Sequence, residues 1–200
     1  MLTPLLSRMI LLKLEVDSED WIDWAIDNDM PSELISFIRF RPKLLNTFDP
    51  KQSDSDGFTN FACPRTIATL GWLLKNGLTS RELIEGTVGQ VFSLEFNAFL
   101  DLIKQVGDAP QKICSGENFD LGELKFETGV CFALACALSK QSDKHFKNIA
   151  AWSRENLQEE YQMMLIKDAS RLHGPKSLIK QGGEAYSEWQ IALDEWITSK

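Results

Sequence analysis

Two hundred residues, with 44% hydrophobic and 25% charged side chains, suffice for one substantial hydrophobic core or two small ones. The 21 basic residues stand against 29 acidic ones, and the formal net charge of −8 excludes the broad positive surface that a phosphate backbone requires, so no direct nucleic-acid partner is expected. The apolar runs are too short to span a bilayer, and the N-terminal stretch has no basic leader region or small-residue cleavage site, which predicts a cytoplasmic protein with no membrane partner.

The chain opens with "TPLLSR", which has the character of a helix end, and "MILLKLEV", residues 9–16, which leans towards β and is the one convincing strand. A lone strand leaves its backbone edges unsatisfied, so this one pairs locally or belongs to a sheet that is missing. Asp17 and Ser18 then offer an N-cap for "EDWIDWAIDN", where Trp21, Trp24 and Ala25 share a face. Pro31 suits the start of "SELISFIRFR", whose Leu34, Ile35 and Ile38 repeat the pattern until Pro42 stops it.

The segment "TFDPKQSDSDGFTN" reads as a solvated loop. Its Asp54, Asp56 and Gly57 do not complete a calcium loop, because Gln52 and Cys63 would fall at the first and closing ligand positions. A helix "PRTIATLGWLLKNG" follows, then "TSRELIEG", where Thr79 and Glu82 fit a capping box, then "TVGQVFSLEFNAFLDLIKQV". Residues 17–106 are thus expected to form four or five helices. After the polar stretch "GDAPQKICSGENFDLGE", helical patterns resume as "ELKFETGVCFALACALSKQ", "KHFKNIAAWSRENLQEEYQMMLIKDASRL" and "EAYSEWQIALDEWITS". Their Trp152, Trp189, Trp196, Met163 and Met164 are assigned to packing.

The four cysteines, Cys63, Cys114, Cys131 and Cys136, form no CxxC pair, and His145 and His173 lack ligand-like spacing, so reduced thiols and no metal site are expected. Cys131 and Cys136 fall on an apolar helix as small buried hydrophobes. No GxxxxGK(S/T), GxGxxG, GxSxG or HExxH pattern occurs, and an independent hydrolase is not supported. What remains is three arginines at element boundaries, Arg8, Arg41 and Arg65, each a planar fork of donors suited to phosphate or carboxylate. The ordinary roles are a surface charge for Arg8 and a buried ion pair for Arg41. Arg65 differs, because a cation in the first turn of a helix opposes the helix dipole and calls for an acidic neighbour or an anionic ligand.

The succession "PLLSRMILLKLEVDSEDWIDWAI", "MPSELISFIRFRPKLLNTFDP", "FACPRTIATLGWLL" and "GTVGQVFSLEFNAFL" resembles the C-terminal half of MoxR-like AAA+ ATPases of bacteria and their phages. Order and spacing match from about Pro4 to Leu102, and the tail is similar to that family's helical extension. The resemblance implies a mainly α fold: residues 1–16 a remnant of the α/β AAA+ core with one short strand, 17–106 a helical lid, and 107–200 a C-terminal helical extension. It also implies that Arg8, in "LLSRM", is an arginine finger acting on a neighbouring subunit's ATP, though Met9 replaces the usual aromatic. Arg65, in "CPRT", takes the place of the sensor 2 arginine on the γ-phosphate, though the usual following tryptophan is absent.

By the same resemblance, the P-loop, the Walker B acid and most of the parallel sheet are not in this chain. ATP with Mg would then be held only together with a core, and the chain alone would be neither a cofactor binder nor a hydrolase. The implied partners are an AAA+ core or the neighbouring subunits of a ring, and a protein with a von Willebrand factor A-type domain, in ATP-driven, chaperone-like remodelling. The alternative function is a helical protein–protein interaction module, suggested by the six tryptophans.

Overall fold

A computed structural model of the chain describes residues 10, 15–48 and 60–198. Among these residues there are ten α-helices, two short 3-10 turns and no strand, so the mainly α class holds. The strand expected over residues 9–16 lies outside the described residues, apart from Ile10, Glu15 and Val16, which are not in a strand.

Helix α1 is Ser18–Asp27, started by the Asp17 carboxylate, which accepts from the backbone N–H groups of Glu19 at 2.7 Å and Asp20 at 3.1 Å. It buries Trp21, Ile22, Ala25 and Ile26. Trp24 does not share that face fully: it sits at the edge, 40% exposed, with its ring tilted against Trp21. Helix α2, Ser32–Phe40, follows Pro31 and buries five consecutive residues, Leu34 to Ile38, because it is packed on more than one side. A 3-10 turn, Pro42–Leu45, follows and buries Leu45.

Helices α3 (Pro64–Lys75), α4 (Arg81–Val88) and α5 (Gln90–Lys104) complete the first half. The cap of α4 is Ser80, whose hydroxyl accepts from the Leu83 N–H at 3.2 Å, so the expected Thr79–Glu82 box does not form and the helix starts one residue later. Gly89 ends α4 and starts α5 at φ +81°, and a Cβ there would run into the carbonyl oxygen of Asn60.

The second half holds α6 (Ala109–Ser115), a 3-10 turn (Gly122–Phe126), α7 (Thr128–Asn156), α8 (Glu159–His173), α9 (Pro175–Gly182) and α10 (Glu184–Thr198). Two expected helices are partitioned differently. "KHFKNIAAWSREN" joins the preceding segment in α7, with non-helical backbone only at His145, and the break comes at Leu157 and Gln158, both extended. The break turns Leu157 into the core, where it is 6% exposed.

Two hydrophobic clusters result. The first gathers α1 to α5 around Phe37, whose ring lies 5.0–5.4 Å from those of Phe92, Phe96 and Phe99. The second gathers α6 to α10, with Phe146 edge-on to Tyr186 and Trp189. Trp152, Trp189 and Met163 are buried there, as is Cys131, while Cys136 is buried in the first cluster.

The clusters meet along α7 and α8. Gly129 admits Phe99 and Leu102 to within 3.1 Å of where a Cβ would stand, and Ala133 and Cys136 reach into the first cluster. Across the seam, Glu19, Asp23 and Asp27, spaced one helical turn apart on α1, face Lys167 and Arg171 on α8. Arg171 engages Asp23 at 2.6 Å and Asp27 at 2.7 Å.

Candidate functional site

The first turn of α3 is fixed from several directions. Pro64 occupies the first helical position, where its missing N–H costs nothing and its ring pre-sets φ. The Cys63 N–H donates to the Thr66 hydroxyl at 2.9 Å, and the indole N–H of Trp21 donates to the Pro64 carbonyl at 3.2 Å. Ile67 and Leu70 anchor the inner face in the first cluster.

Arg65 is the second residue of this turn and is exposed. The turn contains no acidic residue, and among the described residues no carboxylate forms an ion pair with Arg65. Its guanidinium therefore adds to the positive end of the helix dipole instead of offsetting it. Cys63 registers that field. Burial alone would push its thiol up, but hydrogen bonds from Thr66 and from the Arg65 backbone, with the Arg65 charge, hold it below the ordinary cysteine value.

Arg8 lies outside the described residues. Arg41 is not the buried ion-pair member: its Nε meets Glu95 Oε2 at 2.8 Å with both side chains about half exposed, and its guanidinium lies 4.1 Å from the centre of the Phe40 ring. It is the C-cap residue of α2, where the helix gives way to the 3-10 turn. The buried pair is instead made by Arg39, two residues earlier. Its two terminal nitrogens grip the Asp168 carboxylate at 2.6 and 2.8 Å, with side-chain exposures of 9% and 4%.

The Cys136 sulfur is 3.1 Å from the same guanidinium. Burial pushes that thiol up, so it remains neutral and Asp168 balances the charge. Arg39 escaped sequence reading because "IRFRP" holds two arginines that composition cannot rank. Its position four residues after the buried Ile35 was the available signal, as was Asp168 between the buried Leu165 and Ala169.

Arg65 and Arg39 are thus separate features: one exposed and open to an outside anion, the other internally matched. A single guanidinium on a fixed mount suits one phosphoryl or carboxylate group. Among the described residues no group of three or more His, Cys, Asp or Glu side chains could hold a metal ion, and no helix is long and apolar enough to cross a membrane. No protein-family model, curated protein or solved structure matches the chain.

Proposed function

We propose that this chain is the helical lid and C-terminal extension of a MoxR-like AAA+ ATPase, sensing nucleotide within a machine that uses ATP to remodel proteins. The observation that carries the reading is Arg65: a cation against its own helix dipole, exposed on a rigid turn, with no carboxylate paired to it among the described residues. An anion delivered from outside satisfies that arrangement, and a γ-phosphate is the anion that the succession of motifs around "CPRT" implies.

In this reading Arg65 is the sensor 2 arginine, contacting the γ-phosphate as the lid closes. Arg8 is the arginine finger, stabilising charge on the phosphoryl group transferred in the neighbouring subunit. Residues 17–106 form the lid and 107–200 the extension. ATP and Mg are held by a P-loop core that joins this chain in a ring, with a von Willebrand factor A-type protein as a further partner, in the cytoplasm.

The test combines the chain with a P-loop core of a MoxR-like ATPase and follows phosphate release. The chain alone is expected to turn over no ATP; the mixture is expected to do so, and to lose at least tenfold in rate with Arg8→Ala or Arg65→Ala. Equal rates with both alanines would remove the assigned roles. The alternative, a helical interaction module without ATPase function, draws on Trp24 and Trp72, 40% and 46% exposed on α1 and α3. It predicts a core-independent protein partner whose binding falls with Trp72→Ala and ignores Arg65→Ala.

A further inference from the structure

Helix α5 turns Phe92, Phe96 and Phe99 into the first cluster. On its other side Val91, 60% exposed, Leu94, 65% exposed, and Ala98 stand at helical spacing, and the half-buried Leu102 continues the row. A groove of about 460 Å³ runs beside this stripe, lined by Phe40, Arg41, Glu95, Ala98, Phe99 and Leu102. Its floor is the stacked pair Phe40 and Phe99, with ring centres 5.7 Å apart. The apolar residues here are continuous along one helix face, unlike the single exposed side chains found on most surfaces.

We infer that this face is a two-fold interface between two copies of the chain, formed by antiparallel packing of α5 on α5. The stripe is self-complementary about a point near residue 96. Reversing one helix on the other sets Leu94 against Ala98 and Val91 against Leu102, large side chains opposite smaller or partly sunken ones, and Ala98 permits the close approach that helix packing requires.

The charges obey the same symmetry. Among the described residues, Arg41 and Glu95 form the ion pair on the rim of the groove, 2.8 Å apart and half exposed. Glu95 lies one residue from the axis, so the pairs of both copies converge there, and each Arg41 can face the other copy's Glu95 without stranding a charge. A second copy sets its own Arg41–Glu95 pair beside this one, so the charges of the two rims match without any addition. The stripe spans 12 residues, Val91 to Leu102, about 16 Å of helix, so the interface is small and the dimer weak.

Sedimentation of the full chain over a concentration series, without nucleotide, tests the interface apart from any ATP role. The apparent mass is expected to rise from 22.7 kDa toward twice that value. Leu94→Lys is expected to hold it at one chain. Arg41→Glu and Glu95→Arg place like charges on the axis, so each alone is expected to stay monomeric, while an equimolar mixture pairs opposite charges at both positions and dimerises at least as well as the wild type. Circular dichroism confirms that the variants are folded, the pair being on the surface. A wild-type chain that stays monomeric up to several hundred micromolar overturns the inference, and so does a mixture no more associated than its two components.

Discussion

Replacing Asp168 by alanine removes the carboxylate that grips the Arg39 guanidinium and leaves it buried with, among the described residues, the neutral Cys136 sulfur as its hydrogen-bond partner and the Glu19 charge acting only through space. Removing one partner of a buried pair costs about 3–5 kcal/mol, a large share of the roughly 5–15 kcal/mol that holds a domain together. For a chain of this length that corresponds to a melting point lower by roughly 6–20 °C. The reverse variant, Arg39→Met, differs in kind. Arginine cannot shed its proton, but a lone buried carboxylate can take one up as the pH falls. Urea titrations at pH 7 and pH 5 are therefore expected to show Asp168→Ala equally damaged at both, and Arg39→Met partly restored at pH 5. Arg39→Met with Asp168→Leu, which removes both charges, is expected to lie within about 1–2 kcal/mol of the wild type. The reasoning fails if Asp168→Ala costs less than about 1 kcal/mol, or if the two single variants respond alike to pH.

Three further outcomes follow from the geometry. Gly89→Ala puts a side chain at φ +81° and against the Asn60 carbonyl, and is expected to cost about 1–3 kcal/mol or more in chemical unfolding; a loss below 0.5 kcal/mol, on the order of an ordinary surface change, would show that the α4–α5 junction shifts freely. Burial, with Glu160 and Glu127 nearby, pushes the Cys131 thiol from 9.0 to about 11, so above pH 9 the unfolded chain has released a proton that the folded chain keeps. Stability should then fall from pH 9 to pH 11, with a shallower slope in Cys131→Ala; parallel slopes would discount this thiol. Arg65→Glu reverses an unfavourable charge in the first turn of α3 and should raise stability by about 0.3–1 kcal/mol and, on the proposed function, abolish the ATP turnover expected with a P-loop core; a stability loss would mean that Arg65 has a structural partner.

Legibility in the sequence tracked how local the deciding physics is. Asp17, Pro31 and Pro64 mark helix starts by chemistry carried within a residue or two, and the helices begin where those residues predict. Thr79 failed because its neighbour Ser80 offers the same hydroxyl and lies in the extended conformation a cap requires. The division between α7 and α8 was illegible since Leu157, an ordinary helix former, is pulled into extended backbone by burial in a core assembled from distant segments. At the candidate site, the strain of Arg65 against its dipole could be read locally. The role of Arg39 could not, because its partner lies 129 positions away.

Helix α7 supplies Ala133 and Cys136 to one core and Val130, Leu134, Phe146, Ile149 and Trp152 to the other. Residues destined for different cores alternate along the same few turns, so neither core can dissolve without unwinding a helix the other depends on. The two halves are therefore expected to melt together on heating, in a single cooperative transition with calorimetric and van't Hoff enthalpies in agreement.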